Sequence, residues 1–409
     1  MRFDGTGTDY LHRLHRRIVR SRFGRSGAGG MKRLVKGSLA PFYWHVQPIV
    51  QSVAEVRSRG GFVRSTYGIG TLEQLKGCLA VTAAFRAGPG GYYDYRLFLR
   101  DRWAQREAFI YDDEMWVLLA WINSKLGPEE VRDLRDKRRF AARAAKAGLP
   151  VIPILAAFDR GATVHACSSG ELPRSDLFSK NADLGGGQGA RAWEWRPDGS
   201  YRAEDGSHLG VAELYQSLRT QSLQYPVILQ PRITNHRALL PIAGNGLSTL
   251  RIVTVRDLLG RISVPPLACL RMAAGRLVAD NYSGGGLIAG VSLEEGRLGS
   301  AVSKSRPDGL DVHPDSGASI RGFGVPQWAE AKRLAIAAHE EFKSLPSIGW
   351  DIAITAAGPV LVEGNSEWAS AVQIPLDRPL GATSVPDLLA EHVMRLVEAR
   401  GGLEAEWLR

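Results

Sequence analysis

The chain has 409 residues, 44% of them hydrophobic and 23% charged, with a formal net charge of +10. That length suggests two or three domains, and the composition excludes a disordered, collagen-like or coiled-coil protein. No apolar run is long enough for a membrane-spanning helix, and three scattered cysteines, Cys78, Cys167 and Cys269, form neither a disulfide framework nor a zinc site.

Positive charge gathers at the start, where residues 1–40 hold ten Lys or Arg against two acids, Asp4 and Asp9. Three readings stay open: a solvated tail, a surface that docks on anionic membrane or polymer, and an extension preceding a start at Met31. The remaining partner expectations are small molecules and a homodimer, with no nucleic acid because no aromatic–basic motif is present. The expected location is cytoplasmic, peripheral to the inner membrane face if the arm docks there.

Residues 1–130 read as this basic arm and a mostly helical region. The stretch 107–125 has enough apolar residues for a buried helix, broken by Gly127 and Pro128. Residues 131–225 form a first α+β unit: a helix capped by Asp136 and ending at Gly148, a strand over 151–157, short strands and turns, and a helix over 211–223. Residues 226–400 form a second, with strands over 227–230, 249–255, 262–272, 276–281 and 286–292, a helix over 326–345, strands over 348–355 and 359–363, and a last helix announced by Ser384 and Asp387. The pattern is α+β with a largely antiparallel sheet.

Five segments carry candidate chemistry. In 349–365 a hairpin brings Asp351 and Glu363 onto neighbouring strands, and Glu363 and Asn365, two apart, point to one face. Three oxygen-bearing side chains together suit a hard divalent cation that completes its shell with phosphate and water. Lys180 precedes the cluster Gly185, Gly186, Gly187, Gln188 and Gly189, where backbone amides can approach a polyphosphate closely. Lys137, Arg138 and Arg139 crowd the first turn of a helix, where a bound anion would relieve their conflict with the dipole. Arg251, embedded among apolar strand neighbours, needs a carboxylate or phosphate partner, and Arg271, Asn281 and Gly284–Gly286 follow it. Residues 227–231 form an apolar strand running into a polar turn, which could border a base.

Taken in order, these pieces over 134–373 resemble the ATP-grasp superfamily, and in spelling its sugar-transfer-associated group, which is related to the α-L-glutamate ligases. The resemblance implies an ATP-grasp fold: two α+β subdomains clasping ATP, preceded here by the helical N-terminal region. It also implies site roles. Lys137 and Lys180 would hold ATP phosphates, and Gly185–Gly189 would form a lid. Leu229, Gln230 and Ile233 would border adenine and ribose, with Leu361 beneath the base. Asp351, Glu363 and Asn365 would hold Mg²⁺ or Mn²⁺. Arg251, Arg271 and Asn281 would face the γ-phosphate and the carboxylate. The implied activity is an ATP-dependent carboxylate–amine ligase working through an acyl phosphate. The alternatives are a small-molecule kinase of the same fold and a non-catalytic ATP-binding subunit of polysaccharide assembly.

Overall fold

The computed structural model describes residues 5–24, 31–166, 172–184, 189–203, 205–244, 246–275 and 282–399. Its N-terminal part is helical: α1 (Gly7–Gly24), α2 (Met31–Tyr67), α3 (Thr71–Phe85), α4 (Asp112–Leu126) and α5 (Pro128–Arg135). Helix α4 starts at Asp112 rather than at the expected 107. The Glu114 carboxylate there accepts from the Tyr111 amide at 3.3 Å, satisfying a donor that the first turn leaves open. No helix among the described residues is long and apolar enough to cross a membrane.

Helix α6 (Lys137–Lys146) begins where Asp136 caps it, accepting from the Arg138 amide at 2.8 Å. A small antiparallel sheet follows in the order β2 (Ala162–Ala166), β1 (Ala156–Asp159), β7 (Val227–Pro231), β3 (Leu177–Asn181), β4 (Arg191–Trp195), β5 (Tyr201–Ala203) and β6 (His208–Leu209). Helix α7 (Val211–Gln221) covers one face, sinking Leu214 and Leu218 against Phe158, Leu177, Trp193 and Leu229. The strand expected over 151–157 starts only at Ala156, because Pro150 and Pro153 have no N–H to give to a ladder.

The larger sheet is also antiparallel, in the order β12 (Leu298–Val302), β11 (Leu287–Val291), β10 (Ala268–Met272), β8 (Thr249–Arg256), β13 (Ser347–Thr355) and β14 (Gly358–Asn365), with β9 (Ile262–Ser263) beside β8. The single strand expected over 262–272 is split into β9 and β10 by Pro265 and Pro266. Strand β12 was not anticipated, and the strand expected over 276–281 lies outside the described residues.

Every residue of β8 is buried. Its even positions, Leu250 and Ile252, pack with Trp350 and Ile352 toward helix α8 (Trp328–Glu340), whose Ala331, Leu334 and Ala335 join that core. Its odd positions Val253 and Val255 pack toward α1, α4 and α9 (Val385–Ala399) through Leu11, Leu118 and Leu389. A strand covered on both sides should carry no charge, yet Arg251 sits on the odd face, only 9% exposed. Whatever neutralises Arg251 therefore belongs to the same buried face.

Candidate active site between two sheets

The partner of Arg251 is its register neighbour. Strands β8 and β13 pair so that Arg251 lies opposite Asp351, and β10 and β8 pair so that Arg271 lies opposite Thr249. The Arg251 guanidinium donates to both Asp351 oxygens, at 2.6 and 3.1 Å. Arg271 adds a third contact to Asp351 at 2.7 Å, and is itself held by the Thr249 hydroxyl at 2.7 and 3.0 Å. Asp351 is 1% exposed. Burial alone would push its carboxyl pKa up, but Arg251 and Arg271 outweigh burial and hold it well below the ordinary carboxylate range.

Across the next pair of strands Glu363 lies opposite Asp351 and Asn365 opposite Gly349, so the hairpin forms in the expected register. Glu363 lies across this strand pair from Asp351 and 3.8 Å from the Lys137 ammonium. Lys137 also donates to the Leu184 carbonyl at 2.7 Å, just before the glycine cluster. Lys180, on β3 of the small sheet, is half-buried. Burial and Lys137 push its ammonium pKa below the usual lysine range, while Glu363 and Asp351 pull it back. The two sheets therefore face each other across Lys137 and Lys180 on one side and Arg251, Arg271, Asp351 and Glu363 on the other. Asn365 sits at the end of the same strand and donates to the Gly349 carbonyl at 3.3 Å.

Among the described residues no three His, Cys, Asp or Glu side chains gather around one point. Two carboxylates on paired strand positions and the Asn365 amide further along β14, with four cationic side chains around them, fit a hard ion that would arrive already bound to phosphates. Asp351 could serve such an ion only by giving up part of its double guanidinium clasp.

Several sequence assignments change. Arg138 and Arg139 turn away from the cleft: Arg138 pairs with Asp136 and Asp159, at 2.7 and 3.1 Å, and Arg139 with Asp133 at 2.6 Å. Only Lys137 of that helical turn reaches the site. Strand alternation sends the Leu229 side chain into the core under α7, leaving only its backbone to border a base. Its neighbour Ile228 shares the other face with Ala157 and lies opposite Lys180. Gln230, also on that face, is 5% exposed, and its amide donates to the Ile152 carbonyl at 3.2 Å. Ile233, just past β7, is half-buried.

Leu361 is likewise not on the cleft side. The register slips between Asp351 and Ile352, so that Glu363 opposes Asp351 while Leu361 opposes Ile352. This bulge turns Leu361 into the opposite core, fully buried with Leu250 and Ile252. Its backbone instead ties the sheets together, donating to Pro150 at 2.9 Å and accepting from Ile152 at 3.4 Å. Gly189 adopts φ +70°, a conformation that suits glycine. Gly185, Gly186, Gly187, Gln188, Asn281 and Cys167 lie outside the described residues.

Two positions to which the sequence reading gave no role of their own complete the site. Thr249, the first residue of β8, orients Arg271, and its alternation with Arg251 in the same strand was the available signal. Trp368 packs its β-carbon where a side chain at Gly349 would stand, 2.5 Å from that position, with the Arg251 side chain 3.4 Å from it. No sequence pattern connects a tryptophan beyond the hairpin to an arginine a hundred residues earlier.

The sugar-transfer associated ATP-grasp family model matches residues 122–384. Among solved structures, an ADP complex of N5-carboxyaminoimidazole ribonucleotide synthetase is similar at 12% identity and TM-score 0.36, over 64% of this chain and 57% of that one. The D-alanine–D-alanine ligase from Bacillus anthracis is similar at 13% and 0.37, over 66% and 70%. The L-amino acid ligase from Bacillus licheniformis is similar at 12% and 0.32, over 57% and 41%. The chain spans less than two thirds of the first and third of these proteins, and no curated protein sequence matches it. On the strength of the family match, which covers well over half of its residues, the chain belongs to the sugar-transfer associated ATP-grasp family.

Proposed function

We propose that the chain is an ATP-dependent ligase that joins a carboxylate to an amine. One observation carries the reading: two guanidiniums and two carboxylates on the large sheet face two lysines, Lys180 on the small sheet and Lys137 at the start of α6. Such a cleft can grip a triphosphate from both sides and neutralise charge on the group transferred between them.

In this reading a substrate carboxylate oxygen attacks the γ-phosphorus of ATP. The bond to the bridging oxygen breaks, leaving ADP and an acyl phosphate. The amine then attacks the acyl carbon, loses a proton, and phosphate departs. Glu363 and Asn365, with Asp351, would hold a divalent cation, which would screen the phosphates so that an anionic carboxylate can approach. Lys137, at the start of α6, and Lys180, on the small sheet, bind the phosphates. Arg251 and Arg271, set by Asp351 and Thr249, stabilise negative charge on the transferring phosphoryl group and the acyl oxygen. No side-chain nucleophile is required.

The test is ADP release across amino acids and uronic acids, each with and without candidate amines. Release that needs both substrates supports the ligase. Release with one hydroxyl-bearing substrate alone points instead to a kinase, and no release with any pair removes the enzymatic reading. Arg251→Ala is expected to keep measurable ATP binding and abolish product. Equal loss of both refutes its role at the transferring group.

A further inference from the structure

The family match begins at residue 122, so most of the helical N-terminal region lies ahead of it. Helix α4, which crosses that boundary, buries Met115, Leu118, Leu119 and Ile122 in the core shared with α1 and α9. In its last turn this apolar side is interrupted by Asn123, which is 0% exposed. The Asn123 amide nitrogen donates to the Ser366 carbonyl at 2.7 Å. Its amide oxygen, equally buried, has no hydrogen-bond partner among the described residues. For packing alone this residue is a poor choice, since a leucine fills a similar volume without burying an unsatisfied oxygen. The single hydrogen bond it does make is therefore the feature to explain.

Ser366 directly follows Asn365, the last residue of β14. Four residues on, Ser370 is held by the other end of α4. Asp112 accepts from the Ser370 amide at 2.8 Å and from its hydroxyl at 3.3 Å, and the Tyr95 hydroxyl lies 2.8 Å from the same hydroxyl. Helix α4 thus grips residues 366–370 at both ends. Between the grips Arg135 of α5 donates to Glu367 at 2.9 Å, and the Trp368 indole donates to the Ser347 hydroxyl at 3.1 Å. Trp368 is also the residue packed against Gly349 beside Arg251. Asn365 itself has only a long bond, 3.3 Å, from its amide to the Gly349 carbonyl. Its direction is set chiefly by the backbone on either side of it.

We propose that Asn123 is a positioning residue for the divalent cation: by holding the Ser366 carbonyl it fixes the end of β14, and with it Asn365, for coordination. Asn123 touches neither the cation nor the nucleotide. The inference rests on the reading above, in which Asp351, Glu363 and Asn365 hold the ion. It gives the helical N-terminal region a part in the site, as the support behind the metal-binding strand. Losing a hydrogen bond that orients a metal ligand typically weakens metal binding about 10–100-fold. Asn123 acts through one backbone carbonyl next to the ligand, so the lower end, about tenfold, is expected.

The experiment is a Mn²⁺ titration of the full chain in the presence of β,γ-imido-ATP, with free Mn²⁺ read by electron paramagnetic resonance. Nucleotide affinity without metal is measured by calorimetry in EDTA. Asn123→Leu and Asn123→Ala should each raise the Mn²⁺ dissociation constant about tenfold and leave metal-free nucleotide affinity unchanged. Two replacements of different size keep the test alive if one of them does not fold. Leu389→Ala is the control, because Leu389 is fully buried in the same core but lies on α9. It should lower the thermal unfolding midpoint and leave Mn²⁺ binding unchanged. Parental Mn²⁺ affinity in both Asn123 variants overturns the proposal, as does equal weakening in Leu389→Ala or an equal loss of metal-free nucleotide binding. Glu363→Gln separates this failure from that of the underlying reading. If it weakens Mn²⁺ binding while the Asn123 variants do not, only the role of Asn123 falls. If the parent takes up no Mn²⁺, or Glu363→Gln binds it like the parent, the placement of the cation falls and the proposal with it.

Discussion

Asp351→Asn probes the centre of the site while preserving its shape. The Asp351 side chain is 2% exposed and makes three close charged contacts, two with Arg251 and one with Arg271. An amide there can accept at one oxygen but carries no charge, so two guanidiniums, 11% and 18% exposed, lose their counterion. Removing one member of a buried ion pair typically costs about 3–5 kcal/mol. Slight exposure of both arginines places the expectation at the lower end, about 3 kcal/mol. Urea unfolding followed by tryptophan fluorescence reads this directly, since Trp350 adjoins Asp351 in β13 and Trp368 packs against Gly349. The folded-state carboxyl pKa lies far below its unfolded value, so its stabilisation is fully present above about pH 4. The deficit of the variant should therefore be constant from neutral to mildly acidic pH. It should shrink only in strong acid, as the native carboxylate takes up a proton. In the double variant with Arg251→Met the deficit should be smaller than the sum of the two single losses, because the two residues contact each other. A loss under about 0.5 kcal/mol in Asp351→Asn, or strict additivity in the pair, would refute the clasp.

Lys180→Met should weaken nucleotide affinity about tenfold or more, the size of one lost charge-assisted hydrogen bond, while leaving unfolding stability equal or higher because a crowded ammonium is removed. Isothermal titration with ATP and thermal unfolding together check both halves. Gly349→Ala places a methyl 2.5 Å from the Trp368 β-carbon, and should destabilise by about 1–3 kcal/mol and shift the fluorescence of that ring. His339 is fully buried between the Thr254 hydroxyl and the Leu345 carbonyl, and burial lowers its pKa to about 4. The unfolded chain therefore binds the extra proton first, and stability should fall with decreasing pH between about 6.5 and 4, by up to about 3 kcal/mol. Urea midpoints across that range should show a shallower slope in His339→Gln.

The residues of the site were legible wherever local pattern and charge sufficed. An arginine inside the apolar run of β8 demands a counter-charge, and a hairpin with an acid on each strand fixes which backbone positions can meet. Asp136 as a helix cap and the breaks at Gly127 and Pro128 follow equally from local chemistry. What sequence spacing could not decide was parity and company. One extra residue in β14 reverses the side of Leu361 relative to Glu363, and only the pairing with β13 reveals it. Leu229 and Ile228 are equally apolar, so which one faces Lys180 depends on which face of β7 the helix α7 covers. Likewise, Arg138 and Arg139 form ion pairs with acids of their own neighbourhood, whereas Asp351 is claimed by two arginines from separate strands. Charge and hydrophobicity are properties of single residues and survive in the string. The side a residue faces, and the partner that neutralises it, arise only when distant strands pair and one of their two faces becomes a cleft.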